Sequence, residues 1–256
     1  MCAVCGCGDP HDDHDHAHVL PDGSVLRHRH APDAARLITV EQDILAANDR
    51  IAAFTRGFLA ARRTLCLNLV SSPGSGKTTL LERMLADLRA EMPLAVIEGD
   101  QHTDLDAARI RATGVPVVQV NTGRACHLDA AMIRRALTRL DPPERGLLLI
   151  ENVGNLVCPA GFDLGEAAKV VLASVTEGED KPLKYPDMFA ASAVMLVSKA
   201  DLLPHLHCDV AALIAHARRV NPAIAVFVLS AHSGAGLSDW YGWLRARLAE
   251  RVRGEP

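Results

Sequence analysis

The stretch "SSPGSGKTT" (71–79) follows a short apolar run and opens a helical pattern, the setting in which a glycine-rich loop cradles phosphates. Gly74 and Gly76 allow a tight turn that aims backbone N–H groups, with those of Ser75 and Thr79, at phosphate oxygens. Lys77 reaches the β- and γ-phosphates, and Thr78 offers a hydroxyl to Mg²⁺. The strict pattern opens on glycine where this chain has Ser71, which is tolerable if no positive φ is needed there. Two later strand ends supply carboxylates for the same ion or a water in its shell: Asp100 in "IEGDQHTD", and Glu151 in "LLLIENVGN", with Gly154 three residues on. The usual GTPase pattern has aspartate at the second of these. A helix N-cap is the competing role for Asp100.

Which base is bound turns on "VSKAD", which places Ser198, Lys199 and Asp201 at the spacing of the guanine signature Asn-Lys-x-Asp. One carboxylate accepts both guanine donors, and sites built on such pairing discriminate by ~10⁴-fold or more. Losing the signature's asparagine to serine costs about one hydrogen bond, on the order of 1 kcal/mol. The aspartate therefore decides for guanine. Ser230 and Ala231 in "LSAHSG" offer a backbone N–H for the guanine O6.

A second chemistry is written in sulfur and imidazole. "CAVCGC" places Cys2, Cys5 and Cys7 within the first seven residues, as soft ligands for zinc, nickel or copper(I). Removal of Met1 would add the amine of Cys2 and complete a square-planar set suited to Ni²⁺; tetrahedral zinc is the alternative. "HDDHDHAH" follows, and six of the twelve histidines (His11, His14, His16, His18, His28, His30) fall in the first thirty residues, as a weak metal store or a solvated arm. Inside the main domain, Cys126 and His127 in "NTGRACHLDAAM" and Cys158 in "ENVGNLVCPAGFD" are further candidates. Cys126 is expected near a helix start, where a thiolate is favoured. Cys158 is four residues past Gly154, within about 14 Å at ~3.5 Å per residue, so a loop that senses the γ-phosphate disturbs it. Cys66 reads as core, and Cys208 beside His207 as surface.

These groups need elements to hold them. Apolar runs at 65–70, 94–98, 116–120, 147–151, 169–175, 193–198 and 225–230 alternate with helical patterns, which predicts a seven-stranded, mostly parallel α/β sheet covered by helices on both faces. Residues 1–36 have no helical or strand period and read as a disordered Cys/His-rich arm; 37–256 form the P-loop domain, led by an amphipathic helix from Ile38. A hydrophobic content of 49% supports a sizeable core, and a net charge of -4 with 4% aromatics speaks against nucleic acid. The absence of a basic leader or a long apolar run leads to the expectation of a cytoplasmic protein away from membranes, where the seven cysteines stay reduced.

Together, "NLVSSPGSGKTTLL", "EGDQHTD", "NTGRACHLDA", "IENVGNLVCPAGFDLGE", "TEGEDKPLKYPDMF", "SKADLLP" and the terminal "CAVCGC" resemble the HypB family of hydrogenase maturation GTPases, related to the urease accessory GTPase UreG, over roughly residues 37–250. The resemblance implies a GTP- and metal-dependent homodimer that hydrolyses GTP slowly. It implies delivery of nickel to the large-subunit precursor of nickel-iron hydrogenase, with a HypA-type nickel chaperone as partner. Carried over by position, Cys2, Cys5 and Cys7 would form a nickel site, and Cys126, His127 and Cys158 a nickel or zinc site. Lys181 or Lys184 would reach nucleotide or a partner subunit, if not merely surface lysines. Ser198 for asparagine and His232 for a more usual basic residue are departures. The alternatives are a urease-type accessory GTPase, whose usual Cys-Pro-His motif is missing here, and a nickel store with a vestigial nucleotide site.

Overall fold

The computed structural model describes residues 15–19, 25–29, 34–101 and 105–254. The chain divides into two compact units, Met1–Ala47 and Asn48–Pro256. In the first, β1 (Asp15–Val19) pairs antiparallel with β2 (Val25–Arg29), Asp15 opposite Arg29 and Val19 opposite Val25. This hairpin lies within the Cys/His-rich arm. Its strand formers Val19, Val25 and Leu26 are diluted by histidine, and the sequence between carries the turn formers Pro21, Asp22 and Gly23. Cys2, Cys5, Cys7, His11, His14 and His30 lie outside the described residues. Helix α1 runs Ala34–Ala61, starting ahead of the expected Ile38.

The second unit is built on a seven-stranded sheet in the order β5-β4-β6-β3-β7-β8-β9. The strands are β3 (Leu65–Ser71), β4 (Leu94–Asp100), β5 (Val117–Asn121), β6 (Leu147–Gly154), β7 (Ala168–Ser174), β8 (Ser192–Ser198) and β9 (Ala225–Val228). Every pairing is parallel, so all seven carboxyl ends meet at one edge. The strands form from continuous apolar runs because both faces are covered. Leu65, Leu67 and Leu69 of β3 face α2 (Lys77–Leu88) and α8 (Leu237–Arg253), packing with Leu81, Met84, Leu85, Trp240 and Leu244. Cys66, Ile97 and Ile150 face the other way, onto Leu59 of α1 and Ile133 of α4 (Ala130–Leu137). Further along that face, Val70, Val171, Met195 and Val197 meet Met188 and Phe189 of α6 (Pro186–Ala191) and Leu213 and Ala217 of α7 (Val210–Val220). Two more helices complete the unit: α3 (Leu105–Ala112) and α5 (Lys181–Lys184).

β3 is the first strand of this sheet in the chain and lies between β6 and β7, so the loop leaving it opens at a switch in strand order, where open α/β sheets bind ligands.

Candidate functional site

The loop between β3 and α2 closes on two left-handed glycines, Gly74 with φ 76° and Gly76 with φ 91°, conformations in which a side chain is strained. Ser71 is not among the positive-φ residues, which explains why serine is accepted there. The loop lines a cleft of about 580 Å³ whose walls include Gly74, Ser75, Gly76, Lys77, Thr78 and Thr79 together with Asp100, Gln101, Gly154 and Lys199. Gly154 packs so closely under the loop that a Cβ there would stand 3.2 Å from the Pro73 backbone.

Glu151 is buried beneath Lys77 and Thr78. One oxygen, Oε1, accepts from the Thr78 hydroxyl at 2.7 Å and lies 3.3 Å from Lys77 Nζ; the other, Oε2, is buried without a hydrogen-bond partner. Beside it, opposite in the β4–β6 register, stands Glu98, 2% exposed and likewise with a buried, unpartnered Oε2. Burial, with the charges of Glu151, Asp100 and Asp106, pushes the Glu98 carboxyl up to about 8. Glu98 was not legible as a site residue, since a glutamate near a strand end reads as solvated. Arg109 of α3 was also missed; it lines the cleft and donates to Thr79 Oγ1 at 3.2 Å and to the Glu82 carboxylate. Asp100 accepts from the Gln101 N–H at 2.7 Å.

A smaller cavity of about 150 Å³ adjoins the loop, lined by Thr79, Lys199, Asp201, Leu202, Leu229, Ala231 and His232 among others. Lys199 lines both cavities, and its Nζ donates to the Gly74 carbonyl at 2.7 Å. Ser230 is fully buried; its hydroxyl donates to Asp201 Oδ1, and this bond foremost holds the Asp201 carboxyl below its usual range. Lys181 and Lys184 pair with Glu177 and Asp180 and line neither cavity.

The structure brings Cys126, His127 and Cys158 together, with one ligand atom of each within 4.8 Å of the others. Cys126 Sγ lies 2.8 Å from Cys158 Sγ and 3.8 Å from His127 Nδ1. Burial lowers the His127 pKa, which favours the neutral, ligating ring, and Phe162 packs against that ring with centroids 4.0 Å apart. Helix α4 opens only at Ala130, capped by Asp129, so the turn ahead of the helix presents Cys126, not the helix N-terminus as expected. Cys66 is core, as read.

Residues 65–228 match the family model described as the CobW/HypB/UreG nucleotide-binding domain. Hydrogenase maturation factor HypB of Azotobacter vinelandii is 62% identical over 88% of this chain and 75% of its own. The chain belongs to the HypB family. HypB of Escherichia coli K12 is 49% identical over 96% of this chain and 99% of its own. A crystal structure of HypB from Helicobacter pylori in complex with nickel superposes with a TM-score of 0.76, at 39% identity, covering 80% of this chain and 97% of that one. Ser198 stands where the guanine signature read from the sequence has asparagine. Its hydroxyl donates to the Ser75 carbonyl at 2.7 Å and so steadies the phosphate loop from the base side.

Proposed function

We propose that this member of the hydrogenase maturation factor family is a cytoplasmic GTPase metallochaperone. It binds nickel and uses GTP binding and hydrolysis, as a homodimer working with a HypA-type partner, to deliver the ion to the large-subunit precursor of nickel-iron hydrogenase. The observation that carries the reading is the β6 exit, where Glu151 of the phosphate cleft and Cys158 of the metal group stand on one short segment.

The residues present fit the ions the reading requires. Thr78 and Asp100, which line the cleft, and Glu151, which accepts from the Thr78 hydroxyl and keeps a buried, unpartnered Oε2, are the oxygen donors that would hold Mg²⁺. Two thiols and an imidazole suit nickel or zinc. When bound, Mg²⁺ supplies neutralisation of charge on the transferring phosphoryl group, with water as acceptor. The loop's N–H groups, at the start of α2, hold phosphate oxygens. Lys77 exchanges Glu151 for the γ-phosphate, placing its charge where negative charge gathers. Asp201, fixed by Ser230, accepts the two guanine donors, and the Lys199 stem spans base slot and phosphate cleft.

Phosphate release from GTP and from ATP tests the reading. The parent should turn over GTP and spare ATP, Lys77→Ala should lose at least about a hundredfold, and Asp201→Asn should lose the guanine preference. Equal use of both nucleotides by the parent, or full activity in Lys77→Ala, would contradict it.

A further inference from the structure

Where the chain leaves the phosphate cleft, two side-chain amides reach into the turn that carries the metal ligands. Gln101, directly after Asp100, donates from Nε2 to the Ala125 carbonyl at 3.2 Å, alongside the Thr122 hydroxyl at 2.8 Å. Asn155, directly after Gly154, donates from Nδ2 to the next carbonyl, that of Cys126, at 3.4 Å. The other half of the same amide faces the segment that brings in the other thiol, for Asn155 Oδ1 accepts from the Val157 N–H at 2.8 Å, one residue before Cys158. One asparagine thus ties the backbone of Cys126 to the backbone leading into Cys158. Both residues follow positions that line the phosphate cleft, Asp100 and Gly154.

We propose that the amides of Gln101 and Asn155 are the two positioning links that carry nucleotide state to the Cys126, His127, Cys158 metal group; this deepens, and rests on, the reading of the protein as a nucleotide-gated metallochaperone. Any displacement of the strand ends at Asp100 or Gly154 moves these amides with it, because each is on the adjoining residue. Pulling on the consecutive carbonyls of Ala125 and Cys126 turns the peptide planes that set the direction of the Cys126 side chain. Cys158 moves differently, since its approach is held through Asn155 Oδ1 and its own short helix, Cys158–Ala160. The spacing of the two sulfurs is therefore the quantity the links control. A donor is needed at each position, whereas shape alone would satisfy a packing role.

Linkage makes the coupling readable from the nucleotide side, since a metal that senses nucleotide must change nucleotide affinity by the same factor. The full chain is used with Cys2, Cys5 and Cys7 changed to serine and His11, His14, His16, His18, His28 and His30 to glutamine, so that ZnCl₂ reports on Cys126, His127 and Cys158. Dissociation constants of a fluorescent GDP and a fluorescent non-hydrolysable GTP analogue are measured with and without saturating Zn²⁺, and the ratio of the two zinc effects is the coupling. Gln101→Leu and Asn155→Asp should each bring this ratio toward one by about fivefold, the worth of one hydrogen bond. Asn155→Asp keeps the acceptor for the Val157 N–H and loses only the donor, and its added charge acts on zinc in both nucleotide states, so it cancels in the ratio. Gln101→Lys, which restores a donor, should recover the coupling. A parent ratio well away from one that survives both donor-removing variants overturns the links and leaves the metallochaperone reading standing. A parent ratio of one overturns both.

Discussion

At the scale of single residues, Glu98 makes the sharpest pH prediction. Its carboxyl is raised to about 8 in the fold, mainly by burial, against an ordinary value of 4.5, so between roughly pH 5 and pH 8 the folded chain holds a proton that the unfolded chain has released. Stability contributed by this group is full below the unfolded value and falls as pH rises, at up to about 1.4 kcal/mol per pH unit in that window. Thermal melts across pH 5–8 should therefore slope downward in the parent and flatten in Glu98→Gln; an unchanged slope would mean that Glu98 is ionised in the fold. The residues proposed to grip nucleotide were legible because such types and spacings follow from the chemistry of phosphates and guanine: Lys77 and Thr78 after two glycines, Asp201 two residues beyond Lys199. Glu98 was not, because its burial depends on β6 being its neighbour, a fact of strand order that no local pattern carries.

At the scale of elements, all seven strands of the main sheet were visible as apolar runs, since a strand covered on both faces cannot alternate. The polar chain crossing the sheet was hidden. The amide of Asn152 on β6 accepts from the Leu128 N–H and donates to Asn68 on β3, and Asn68 donates to Glu166, which pairs with Lys169 on β7. Asn68 stands far in sequence from Asn152 and Glu166 and meets them only through the order β6-β3-β7. The exit of β8 shows how one element compensates for a departure. Ser198 stands where the guanine signature has asparagine, and its buried hydroxyl holds the phosphate loop directly. Removing it in Ser198→Ala should weaken GTP binding about fivefold and lower stability by about 1 kcal/mol, as read by nucleotide titration and denaturant melts. An unaltered affinity would show that the contact does not steady the loop.

At the scale of the whole molecule, the strand order arranges the chemistry along one edge of the sheet. The proposed base slot lies at the exits of β8 and β9, the proposed phosphate cleft at β3, β6 and β4, and the turn carrying Cys126 and His127 beyond β5. The exit of β6 is shared by cleft and Cys/His group, and for this reason we propose that exchange of triphosphate for diphosphate alters the donors that hold the ion. No helix among the described residues is long and apolar enough to cross a membrane. The measurement that tests the account most directly is a titration of Ni²⁺, and separately Zn²⁺, into the full parent chain saturated with GDP or with a non-hydrolysable GTP analogue, with self-association followed in the same samples. Metal affinity should differ between the two nucleotides by about fivefold or more, with dimer favoured by the triphosphate form. Equal affinities for both ions and equal self-association in both nucleotide states would contradict the account.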